Sequence, residues 1–249
     1  MTLSNLFGKA KYERRENAFR PLFEAYDRLM IFDTETTGLH YETSQIIEFS
    51  AVVLDKDGNT VEYDNLITLD PGTVIPDKIV ELTHITNEAV AERGISKKQL
   101  CEDIAELMAG NTLLIAYNAH FDLCFTYYLL KRHGDPGILQ GKDKLDLLSV
   151  YRDRHFYPHK LKSAIEQYNL TKRVVNSHRA IDDVYATVAV MDYLERERND
   201  LIKYVNLFGY NLHFPIPKNR IRSVIYLPQD YHPDDMTLYQ RYEEDIKLC

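Results

Sequence analysis

Short apolar runs, broken by polar and glycine-containing stretches, set the organisation of this chain, and their periods distinguish strands from helices. Leu29-Met-Ile-Phe32 opens a run that predicts a buried strand over Leu29–Glu35. Further strands are predicted at Gln45–Leu54 and Thr60–Leu69, joined by an Asp57-Gly58 turn that suits an antiparallel hairpin. A helix near Ser96–Met108 leads to a strand at 112–117 and a helix at 121–132, followed by a loop at Gly134-Asp-Pro-Gly137. A short strand near Lys144–Val150 and a helix near Leu161–Tyr168 come next. Ile181, Val184, Val188, Met191 and Leu194 recur at helical spacing and predict a long helix over 180–198.

This order predicts an α/β fold with a mixed sheet flanked by helices. It also suggests three parts: an arm over residues 1–27, a core over 28–200 and an extension over 201–249. The arm carries a predicted helix near Tyr12–Ala25, broken at Pro21. The extension is punctuated by prolines, and Ile221–Tyr226 reads as an added strand that packs on the core, binds a partner, or lines a groove with Lys218, Arg220 and Arg222.

Acidic residues fall at the ends of these elements. Asp33 and Glu35 are two apart on a strand, so they project to one side, roughly 6.5–7 Å apart. The Thr36-Thr37-Gly38 turn then ends the strand. Asn118 lies at a strand–helix junction, and Asp122 falls in the first helical turn, where the dipole favours a carboxylate. Asp183 opens the long helix with His178 five residues ahead, whereas Asp182 points about 100° away. Taken one by one, these features also suit an acidic loop, an ordinary first-turn acid and a surface histidine. Brought together by the fold, four carboxylates would need divalent cations to stay in one pocket, and a titratable imidazole beside them suits phosphodiester hydrolysis.

Three of these segments match a known set. Asp33-Thr-Glu35-Thr-Thr-Gly38, Asn118-Ala-His-Phe121-Asp122 and His178-Arg-Ala-Ile-Asp-Asp183 resemble the motifs of the DEDDh (DnaQ-like) 3′–5′ exonuclease family. That family includes the proofreading epsilon subunit of bacterial DNA polymerase III and the exonuclease domain of the Gram-positive polymerase. Glu81-Leu-Thr-His-Ile-Thr86 is similar to its L-T-G-I-T loop, and Lys144-Leu-Asp146 and Lys160-Leu-Lys-Ser-Ala164 resemble later landmarks. The likeness spans roughly residues 28–198.

The resemblance implies an RNase H-like fold and removal of nucleoside 5′-monophosphates from the 3′ end of single-stranded DNA. It implies that Asp33, Glu35, Asp122 and Asp183 ligate two Mg²⁺ or Mn²⁺ ions, with Asp33 bridging them, and that His178 is the general base. Arg179, four before Asp183, excludes the tyrosine-type subgroup. Asn118, Phe121 and the Thr36–Gly38 turn are expected to position the terminal nucleotide. His84 replaces the family's Gly and Tyr117 its frequent His, and both bear on how the last base is held. RNA trimming by a DEDDh ribonuclease uses the same residues. A non-catalytic replisome subunit and a plain α/β domain with coincidental motifs are the other readings.

Composition changes this picture little. The 249 residues are 45% hydrophobic, enough for a sizeable core. Cys101, Cys124 and Cys249 form neither a disulfide framework nor a zinc pattern. Early basic residues argue against a signal peptide, and no apolar stretch reaches membrane-spanning length, so a cytoplasmic location is expected. A formal net charge of −8 disfavours long-tract nucleic-acid binding, although Lys160, Lys162, Lys172, Arg173 and Arg179 could supply a small footprint. Leu3-Ser-Asn-Leu-Phe7 faintly resembles peptides that dock on the bacterial sliding clamp, which, with a polymerase, is a candidate partner.

Overall fold

Arg28–Thr36 (β1), Ile46–Asp55 (β2), Thr60–Leu66 (β3), Thr112–Ala116 (β4) and Lys144–Asp146 (β5) form one sheet in the order β3-β2-β1-β4-β5. β1 runs antiparallel to β2 and β2 to β3, while β4 and β5 join in parallel, so the sheet is mixed as the pattern predicted. The computed structural model describes residues 15, 17–174, 177–213, 219–230, 232–233 and 236–247. The clamp-like segment at 3–7 and Cys249 lie outside them.

Nine α-helices appear among the described residues: Arg20–Ala25 (α1), Asp77–Thr83 (α2), Asn87–Arg93 (α3), Lys97–Leu107 (α4), Ala119–His133 (α5), Leu147–Arg152 (α6), Leu161–Gln167 (α7), Ala180–Glu197 (α8) and Leu238–Lys247 (α9). Alternation along β1 separates two main cores, while α2 and α3 pack with Ile47 and Ile75 in a smaller third one. Leu29 and Ile31 face one core with α1, α6, α7 and α8, whereas Met30 and Phe32 face the other with α4 and α5. The same alternation sends Asp33 and Glu35 to the α8 side and Thr34 to the α5 side. The site therefore forms where the end of β1 is approached from both faces.

Several elements differ from the sequence expectation. Pro21 does not break a helix; it stands in the first turn of α1, where its missing N–H costs nothing. The strand expected at Lys144–Val150 ends at Asp146, whose carboxylate accepts from the Leu148 and Ser149 amides and turns the chain into α6. The L-T-H-I-T segment is not a plain loop. Glu81–Thr83 ends α2, His84 takes a left-handed conformation (φ 58°), and Thr86 caps α3 through the Ala89 amide. The added strand lies later than expected, at Ile225–Pro228 (β7), and pairs in parallel with Leu207–Tyr210 (β6).

Residues at both ends of the chain contribute to these cores. Phe19 and Leu22 are fully buried beside α8, and Arg15 forms ion pairs with Asp192 and Glu195. Phe208 and Val224 join the α5 side, where the Tyr226 hydroxyl lies 2.8 Å from His120 Nδ1. No described helix is long and apolar enough to cross a membrane.

Candidate active site

The pairing of β1 with β4 ends at Ile31↔Ile115, so the last residues of β1 run on without a β4 partner. The freed edge needs acceptors for its amides. Asp122, in the first turn of α5, supplies one: its Oδ1 accepts the Thr34 amide at 3.0 Å and the Thr34 hydroxyl at 2.8 Å. Asp122 is thus carried from the α5 face to the end of the strand that bears Asp33 and Glu35, and it is only 3% exposed.

From the opposite face, the start of α8 brings the remaining groups. A ring nitrogen of His178 and carboxylate oxygens of Glu35 and Asp183 lie within 4.8 Å of one another. Asp183 is buried at the helix start, while His178 is exposed, with a left-handed backbone (φ 54°). Asp33 sits in the same field, since Asp122, Asp183 and Glu35 all act on its charge. The five residues singled out in the sequence, Asp33, Glu35, Asp122, His178 and Asp183, therefore come together.

Their electrostatics are those of an overcharged acidic cage. Burial, then repulsion from Asp122 and Asp183, raises the Asp33 pKa well above the ordinary carboxylate value. Burial and Asp183 push Glu35 up to about 8. Burial lifts Asp122 to about 7 despite the opposing hydrogen bonds from Thr34. Hard oxygen donors held this close are the donor set that Mg²⁺ or Mn²⁺ prefers, and a cation would relieve the repulsion. The residues fit divalent ions on these grounds.

The other expected site residues are distributed around this centre. The Thr36 hydroxyl donates to the Gly38 carbonyl at 2.7 Å and closes the turn after β1. A side chain at Gly38 would press on Ser44 Oγ. Asn118 precedes α5 with φ 69°, and its side chain does not cap the helix. Phe121 packs on Phe125, and His84 is exposed between α2 and α3. Tyr117 donates its hydroxyl to the His159 carbonyl. Of the five expected basic residues, Lys160, Lys162, Lys172 and Arg173 are exposed, but Arg179 is committed to an ion pair with Glu48. Arg220 and Arg222 line a separate cavity of about 610 Å³ with Lys131 and Tyr127, which none of the five clustered residues lines.

Two acids outside the expected set support the site. Asp146 does for α5 what Asn118 does not, accepting the Asn118 and Ala119 amides at 3.0 Å each as well as the start of α6. Glu48, on β2 directly opposite Glu35, accepts the Arg179 Nε and the Ala180 amide at the start of α8. Its signal was present in the sequence as a lone charge within the apolar run Ile46–Leu54. Asp182, set aside as pointing away, accepts the Ser177 hydroxyl next to His178.

A mixed sheet with an acidic cage at the end of its first strand is the arrangement of a metal-dependent nuclease. The RNase_T family model, described as Exonuclease, matches residues 30–191, and the chain belongs to that family. Its members generally use divalent metal ions. The chain is 38% identical to the DNA polymerase III epsilon subunit of Treponema pallidum over 159 residues, 61% of this chain and 69% of that one. It is 34% identical over 171 residues to the PolC-type DNA polymerase III of Clostridium perfringens, covering 67% of this chain but 11% of that protein. Escherichia coli exonuclease I, solved with a dA16 oligonucleotide, shares the fold with a TM-score of 0.61 and 23% identity over 72% of this chain and 42% of its own. The chain thus spans about a tenth of the polymerase and under half of exonuclease I.

Proposed function

We propose that this exonuclease removes nucleotides one at a time from the 3′ end of single-stranded DNA and releases nucleoside 5′-monophosphates. The observation that carries this reading is the convergence of His178 with Glu35 and Asp183 within 4.8 Å, at a strand end that also bears Asp33. Asp33, Glu35, Asp122 and Asp183 would hold two divalent ions. Once bound, such ions activate water and neutralise charge on the leaving 3′ oxygen. His178, exposed beside the cage, accepts the proton of the attacking water at a ring nitrogen. Thr36, Gly38, Asn118, Phe121 and His84 shape the ground for the last nucleotide. The exposed Lys160, Lys162, Lys172 and Arg173 suit a short phosphate footprint better than a long one.

The choice of DNA is supported by the relatives, since the epsilon subunit is named for a DNA polymerase and exonuclease I was solved on a DNA oligonucleotide. The epsilon likeness also makes a polymerase the partner to try first. We assign the nuclease unit to residues 28–200, with 1–27 as an arm and 201–249 as an extension.

A 5′-labelled single strand tests the proposal. It should shorten stepwise from its 3′ end in Mg²⁺ or Mn²⁺ and stay intact in EDTA. Internal cuts, or activity that survives chelation, would overturn it. An RNA of equal length run alongside decides the sugar preference.

A further inference from the structure

Glu48 stands where elementary energetics argue against it. In the run Ile46–Leu54 every residue is buried, and only Glu48 and Ser50 are not apolar. A buried ion pair is seldom more stabilising than apolar side chains of the same volume. The position also faces Glu35 directly across the strand pair, an unfavourable arrangement for like charges. A carboxylate that is 0% exposed, with Asp33 and Glu35 in its field, needs a reason to be there.

Its contacts supply one. Glu48 Oε1 accepts Arg179 Nε at 2.9 Å and the guanidinium's Nη2, while Oε2 accepts Nε at 3.1 Å and the Ala180 amide at 2.8 Å. Both oxygens are occupied, so Glu48 is poorly placed to be a further metal ligand. Arg179 and Ala180 are the cap residue and first residue of α8, a helix start with no side-chain cap of its own. Caps are normally local Ser, Thr, Asp or Asn; here the acceptor comes from a strand 132 residues earlier. The Asp183 amide bonds the Arg179 carbonyl at 3.1 Å, so fixing Arg179 fixes Asp183 one turn on. On the other side, His178 is the very next residue, and Ser177 is tied to Asp182. The exposed imidazole is flanked by two anchored neighbours. That arrangement can hold its left-handed backbone, a conformation side chains with a Cβ seldom adopt.

We infer that Glu48 and Arg179 form a positioning clamp, which sets where His178 and Asp183 stand relative to Glu35. The clamp is not itself catalytic. Its catalytic consequence rests on the nuclease reading above; its effect on cation binding does not.

Two variants of the full chain test it. Glu48→Gln keeps the size and an acceptor for Ala180 but loses the ion pair. Arg179→Lys keeps the charge but not the fork, and at 37% exposure it puts folding at little risk if Glu48→Gln does not fold. Mn²⁺ titration calorimetry should show binding weakened about tenfold or more in each. With the 5′-labelled strand, kcat should fall about tenfold or more while KM changes less than about threefold. In a His178→Ala background, at saturating Mn²⁺, the same substitutions should cost clearly less than in the wild type, because one of the two groups they position is gone. Unchanged Mn²⁺ affinity, or penalties that multiply fully in the His178→Ala background, would overturn the clamp. A wild-type protein that leaves the strand intact, with Mn²⁺ binding still weakened by both variants, would instead sink the nuclease reading and keep the clamp.

Discussion

Asp122 Oδ1 accepts both the backbone amide and the hydroxyl of Thr34, although 88 residues separate them. The contact fixes the rotation of a carboxylate that must reach the strand end from the α5 face. Thr34→Val keeps the shape and the amide bond but removes the hydroxyl. A hydrogen bond to a charged group contributes about 1.5–3 kcal/mol, and without it the Asp122 pKa should rise further from about 7. More Mn²⁺ should then be needed for half-maximal activity near neutral pH. An unchanged Mn²⁺ requirement would show that the hydroxyl does not tune the ligand.

Asp183→Asn should separate activity from stability. Asp183 raises the pKa of both Asp33 and Glu35 by repulsion, so neutralising it relieves strain in the metal-free cage. The variant should lose turnover while its unfolding temperature in EDTA rises. Full activity would refute the ligand assignment, and a lower unfolding temperature would refute the account of repulsion.

His178→Ala should reduce the rate by about 10²–10⁴-fold, the usual range for a lost general base. The side chain is exposed, so stability should barely change. A loss of less than about threefold would remove His178 from that role.

The parts of the site legible in sequence were those written in local spacing. Asp33-x-Glu35 at a strand end and His178 five before Asp183 at a helix start declare themselves through alternation and helical turns. The sheet was legible through the apolar runs and the Asp57-Gly58 turn. Non-local partners were hidden. Asn118 has the composition of a cap, yet Asp146 does the capping from another strand. Arg179 looked like part of a phosphate footprint because nothing in its neighbourhood announces Glu48. The short helices α2 and α3 escaped because neither is long enough to show a period.

Asp146 offers a test of that hidden layer. Its carboxylate accepts five hydrogen bonds: the Asn118, Ala119, Leu148 and Ser149 amides and the Ser149 hydroxyl. Asp146→Asn turns an amide N–H toward donors that need acceptors, leaving buried groups unsatisfied at about 1–3 kcal/mol each. Denaturant unfolding should report a loss of at least about 2 kcal/mol. A loss within error would mean that the start of α5, and with it Asp122, is held by other contacts.

The metal-free protein should also carry an unusual pH dependence. Glu35 titrates at about 8 in the fold against an ordinary 4.5, and Asp122 at about 7 against 3.8. Between these limits the folded state binds protons that the unfolded chain has already released. Stability therefore falls as pH rises through this window, the reverse of a salt-bridged carboxylate. In EDTA the unfolding temperature should drop from about pH 5 to about pH 8. Mn²⁺ should stabilise more strongly at the upper end, since it replaces the lost protons, and its binding should release protons measurable in buffers of different ionisation enthalpy. An unfolding temperature in EDTA that rises with pH across this range would mean that burial and crowding do not keep these carboxylates protonated in the fold.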